Sequence, residues 1–79
     1  MIGKSRSKKK ALLTKIRKYA AAAAILRLKG RIPSAVRYEE DLERFMSKGE
    51  SEGWADDVMI AEEQGRQVGA EAYRKGLVP

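Results

Sequence analysis

The chain has 79 residues, with 17 Lys plus Arg against 11 Asp plus Glu, a formal net charge of +6, and neither His nor Cys. That length bounds it to one small domain. The missing residue types exclude disulfides, thiol nucleophiles, zinc fingers and any mechanism that uses imidazole as base or ligand, so a non-enzymatic protein without cofactor, metal or small-molecule substrate is expected.

The net charge conceals a division along the chain. Residues 1–38 carry twelve bases and no acid, a block of +12, whereas from Glu39 onward eleven acids face five bases, a block of −6. A basic half of this kind meets either an external polyanion or the acidic half of its own or a neighbouring chain.

Residues 1–10 (MIGKSRSKKK) are small, polar and basic, with no apolar periodicity after Ile2, and read as a flexible arm preceding a single helical domain over 11–79. A first helix is predicted over about 11–29, where strong helix formers run without Gly or Pro up to Gly30. Its apolar stripe is Leu12, Ile16, Tyr19, Ala23 and Leu26, at helical spacing. The longest apolar run, Tyr19 to Leu26, is mostly alanine and too short for an integral membrane span. The acid-free, Ser- and Ala-containing N-terminus is also compatible with an organellar targeting segment; the cytoplasm or the interior of a nucleoprotein assembly is the leading expectation.

The turn Gly30-Arg31-Ile32-Pro33 leads to a second helix predicted over 34–48, with Ser34 as N-cap, Ala35, Tyr38, Leu42, Phe45 and Met46 on one face, and Gly49 as its stop. With Asp41-Leu42-Glu43-Arg44-Phe45 after it, the turn faintly resembles winged-helix excisionase and MerR-like regulators. The stretch leaves no room for a β-wing between Pro33 and Tyr38, and alanines stand where a helix-turn-helix turn belongs. A plain inter-helix turn is therefore expected and no family is assigned.

A third helix is predicted over 52–75, with Trp54, Val58, Ala61, Gly65, Val68 and Ala72 in a heptad-like seam. Gly65 and Gly69 would each cost about 1 kcal/mol relative to Ala in an exposed helix. Either the helix breaks near Gly65 or another backbone approaches closely there, and Ala20 to Ala24 of the first helix offers the complementary small surface. The resulting fold is all-α, with three helices and no strand.

The functional signal is a local rule broken. The second and third helices carry acids near their N-termini and bases near their C-termini, as the macrodipole favours, but the first opens on Lys8, Lys9 and Lys10. A phosphate backbone would compensate that charge, so Lys4, Arg6, Lys8, Lys9, Lys10, Lys15, Arg17 and Lys18 are the candidate contacts to DNA or RNA. Lys29, Arg31 and Arg37 around the start of the second helix form a further candidate phosphate site.

Other features read more plainly. Tyr19, Tyr38, Phe45 and Trp54 fall on apolar helix faces and read as core rather than as a base-stacking platform, while Tyr73 sits off the seam. The pairs Asp56-Asp57 and Glu62-Glu63 diverge on a helix and form no converging acid-base or cation site. Acidic helices then offer a protein-contact surface, centred on the small seam of Ala61, Gly65, Val68, Gly69 and Ala72. The sequence thus points to a nucleic-acid-associated accessory protein; the competing reading is an assembly or adaptor protein whose bipolar charge drives docking to a partner or to copies of itself.

Overall fold

A computed structural model describes the backbone of residues 2–78 and the side chains of residues 7–78. Three helices follow one another: α1 (Ile2–Leu28), α2 (Ile32–Ser51) and α3 (Ala55–Arg74), with no strand among the described residues. At 1.5 Å per residue, α1 is roughly 40 Å long and α2 and α3 roughly 30 Å each. The molecule measures 43 × 23 × 17 Å, so its long axis is α1. Both shorter helices pack along α1, while their contact with each other is slight.

The helix ends depart from the predicted ones for identifiable reasons. Residues 7–10, assigned to the arm by their polarity, are helical and continue α1. The side chains of residues 1–6, where the rest of the expected arm falls, lie outside the described residues. Gly30 closes α1 as expected: it adopts φ +78°, and the Arg31 amide bonds back to the Leu26 carbonyl at 2.9 Å, the hydrogen bond of a Schellman motif. Because that motif is complete within Lys29, Gly30 and Arg31, α2 starts at once. Arg31 is its N-cap and Pro33 lies in its first turn, where a missing N–H costs nothing, so Ser34 is helical rather than the cap.

Gly49 does not stop α2, which runs on to Ser51 and ends before Gly53 at φ +85°. The second Schellman bond, Trp54 amide to Gly49 carbonyl at 2.9 Å, shows the shift. Gly49 is buried for a different reason: a Cβ there would strike Val58 Cγ2 and lie 3.4 Å from Leu12 Cδ2, so its lack of a side chain lets all three helices meet. Trp54 takes the N-cap place of α3, which therefore begins at Ala55 rather than at 52.

The core is a thin layer. Leu12, Ile16, Ala20 and Ala23 of α1 are buried with Ala35 and Leu42 of α2 and with Val58 and Ala61 of α3. Leu13, Tyr19, Phe45, Met46 and Trp54 pack around it. The Tyr19 ring lies 5.0 Å from Phe45 in an edge-to-face contact and 5.4 Å from Tyr38, which joins α1 to α2. Close approach joins α1 to α3: α3 is unbroken at Gly65, and a Cβ on Gly65 or Gly69 would collide with the backbone of Arg17 or Ala21 respectively. The buried seam of α3 accordingly runs Val58, Ala61, Gly65, Gly69, and Val68 turns out to solvent at 63% exposure.

Candidate nucleic-acid interface

Since α2 and α3 pack along one side of α1, the rest of its surface is exposed, and toward the N-terminal end Lys8, Ala11 and Lys15 border the α2–α3 turn at Lys48, Glu52 and Trp54. Spacings of three and four residues bring Lys8, Ala11, Lys15 and Lys18 into line on that surface, and all four are exposed. Lys8 and Lys18 are about 15 Å apart along the axis. Lys10, also exposed, flanks this ridge, and the half-buried Arg17 passes its backbone under Gly65. No acidic residue occurs anywhere in α1. Among the described residues, no carboxylate lies in ion-pair range of Lys8, Lys10, Lys15, Arg17 or Lys18. Lys15 does have a neighbour, the Phe45 ring at 5.5 Å, and its ammonium sits over the ring face.

Lys9 is different. It lies on the side of α1 that carries Leu12 and Ile16, where its ammonium meets Asp57 at 2.6 Å in the first turn of α3 and lies 6.0 Å from the Trp54 ring. Because α1 begins at Ile2, Lys8, Lys9 and Lys10 lie about two turns inside it and do not open it as expected, and part of their charge is answered inside the molecule. Sequence spacing already put Lys9 on the buried arc with Leu12 and Ile16; its charge type hid that. Lys4 and Arg6 have side chains outside the described residues.

The second candidate cluster lies at the other end. Lys29, Arg31 and Arg37 are all exposed around the α1–α2 turn, roughly 30 Å along α1 from Lys8, so the two basic groups form separate patches. Arg27, just before that turn, reaches Glu39 of α2 in a two-pronged contact, with Nη2 donating to Oε1 at 2.6 Å and Nε donating to Oε2. This bidentate bond holds the Glu39 carboxyl below its ordinary range and raises Arg27 above its own. Nothing in the sequence pairs these residues, twelve positions apart, until the register of the α1–α2 hairpin is known.

These two contacts, Lys9 with Asp57 and Arg27 with Glu39, are the ion pairs that tie α1 to the acidic helices among the described residues. The other pairs stay within α2 or α3: Arg44 with Asp41, Arg66 with Glu62, and both Arg74 and Lys75 with Glu71.

No family model, curated protein or solved structure matches the chain.

Of the small seam, Ala61, Gly65 and Gly69 are buried against α1 of the same chain, Ala72 is half-buried, and Val68 is exposed. Exposed apolar side chains on α3 lie beside that seam instead, at Met59, Ile60 and Val68. Tyr19 is engaged with both Phe45 and Tyr38, but Tyr38, expected in the core, is exposed at the edge of that cluster. No group of three or more carboxylates converges as a metal site among the described residues. None of the described helices is long and apolar enough to cross a membrane.

Proposed function

We propose that this is a non-enzymatic nucleic-acid-associated accessory protein that lays the outer face of α1 along a phosphate backbone and turns its acidic helices toward protein. One observation carries the reading: Lys8, Lys10, Lys15, Arg17 and Lys18 share a helix without acids, and none has a carboxylate partner among the described residues. A row of uncompensated cations on a rigid rod gains free energy by displacing counterions from a polyanion. Lysine supplies point charge rather than bidentate recognition, so the contact is to phosphate and not to base edges. Lys4 and Arg6 extend the basic sequence toward the N-terminus, and Lys29, Arg31 and Arg37 form a second, smaller patch for a bent or longer strand.

Salt-resolved binding to duplex DNA and to single-stranded RNA tests this. Affinity should fall linearly with log salt, and the triple variant Lys8→Gln, Lys15→Gln, Lys18→Gln should flatten the slope by about 2 to 3. An unchanged slope, or no binding at low salt, overturns the proposal.

A further inference from the structure

Opposite the lysine ridge, the slight contact between α2 and α3 leaves a groove of about 810 Å³ running between them over α1. Ala20, Ala23 and Ala24 of α1 form its floor, Met46 and Ala70 its sides. It occupies the place of the fourth helix in a four-helix bundle. Its rims are acidic. Glu39 and Glu62 are already answered by Arg27 and Arg66, but Glu43 and Glu50 line the groove with no cation in ion-pair range among the described residues. A floor of alanine suits a helix whose central line is also small, because two backbones can then approach closely.

We propose that the groove receives the outer face of α1 from a second copy of the chain, so that copies stack back to front. The complementarity is one of register as well as sign. Glu43 and Glu50 are seven residues apart on α2, and Lys8 and Lys15 are seven apart on the exposed face of α1, so each pair spans about 10.5 Å along its helix. Ala11 lies between the two lysines and presents a methyl group to the alanine floor. Lys18, at the far end of the same ridge, extends along the groove to keep its ammonium in water. The block of +12 on residues 1–38 and the block of −6 beyond them meet at every junction. Since ridge and groove lie on opposite sides of each copy, the contact is heterologous and does not close on itself in a dimer. The proposal does not rest on nucleic-acid binding, although both use Lys8 and Lys15.

The test uses the full chain, freed of nucleic acid by nuclease and high salt and then returned to low salt, with mass measured by light scattering. At about 100 µM the mass should exceed the 8.8 kDa of one chain and return to it near 1 M salt. The variants Glu43→Lys with Glu50→Lys, and Lys8→Glu with Lys15→Glu, should each be single chains with unchanged helicity. Mixed together they should associate again, because native ridge then meets native groove and reversed ridge meets reversed groove. A wild-type chain that is a single copy at low salt overturns the proposal, as do reversed variants that assemble alone. If that single-copy chain instead binds a lysine-alanine helical peptide through Glu43 and Glu50, the second copy is rejected and the groove belongs to another protein's helix. Salt-dependent DNA or RNA binding that persists in the Glu43→Lys, Glu50→Lys chain separates failure here from failure of the nucleic-acid reading.

Discussion

Gly65 of α3 lies directly on the backbone of Arg17 in α1: a Cβ built at Gly65 would overlap the Arg17 carbonyl oxygen and stand 2.8 Å from Ala20 Cβ. One turn later Gly69 stands the same way on Ala21, where a Cβ would be 2.5 Å from the carbonyl oxygen. Two residues that weaken an isolated helix are therefore what permit α1 and α3 to pack. Replacing either by Ala should destabilise the fold by about 1 to 3 kcal/mol, as overpacking does, even though Ala is the better helix former by about 1 kcal/mol. Urea denaturation of Gly65→Ala and Gly69→Ala beside Val68→Ala checks this; Val68 is exposed, and its truncation should leave the midpoint nearly unchanged.

The core offers little reserve. Ile16 and Val58 are the largest side chains that are fully buried, and most of the remaining layer is alanine. Ile16→Ala truncates a fully buried member of the core cluster and should cost about 2 to 5 kcal/mol, comparable with the whole stability of a domain of this size. Circular dichroism of that variant should show a chain largely unfolded at room temperature, while Leu77→Ala, at 73% exposure, should melt like the parent.

Three helices and their order were legible in the sequence because apolar spacing and Gly30 state them directly. The close helix contact at Gly65 was legible too, since two glycines on a helical seam are costly unless a backbone lies against them. Helix ends were less so. Gly49 and Gly53 are both plausible stops, and only the three-way contact of Gly49 with Leu12 and Val58 separates a packing glycine from a terminating one. Likewise Val68 continues a heptad on paper, but α3 crosses α1 along an i, i+4 row of glycines, which rotates Val68 outward. For the candidate interface, charge and periodicity pick out Lys8, Lys15 and Lys18, whereas the groove depends on how far α2 and α3 diverge, a tertiary property that no local pattern encodes.

The clamp between Arg27 and Glu39 predicts a pH dependence. The carboxyl of Glu39 is held below its ordinary range by the Arg27 hydrogen bonds, so its contribution to stability is fully present above the unfolded carboxylate pKa and is lost as pH falls through the lowered folded value. Both side chains are partly exposed, so the effect is small and screened by salt. The melting temperatures of wild type and Glu39→Gln should differ at neutral pH and converge in acid; a constant gap across the range would show that the pair contributes nothing through its charge.

Lys9 and Lys18 separate folding from binding. Both lie in the basic helix, but Lys9 holds Asp57 at 2.6 Å while Lys18 has no carboxylate partner among the described residues. Lys9→Gln breaks the contact between the start of α1 and the first turn of α3, so it should lower stability by up to about 1 kcal/mol, the range of exposed ion pairs. Its effect on affinity for nucleic acid should be slight, since its charge is already matched. Lys18→Gln should do the reverse, leaving the denaturation midpoint unmoved and reducing the salt slope of binding by about 1. Equal losses of affinity in the two variants would mean that Asp57 releases Lys9 to the polyanion, and that the ridge extends around the helix toward α3.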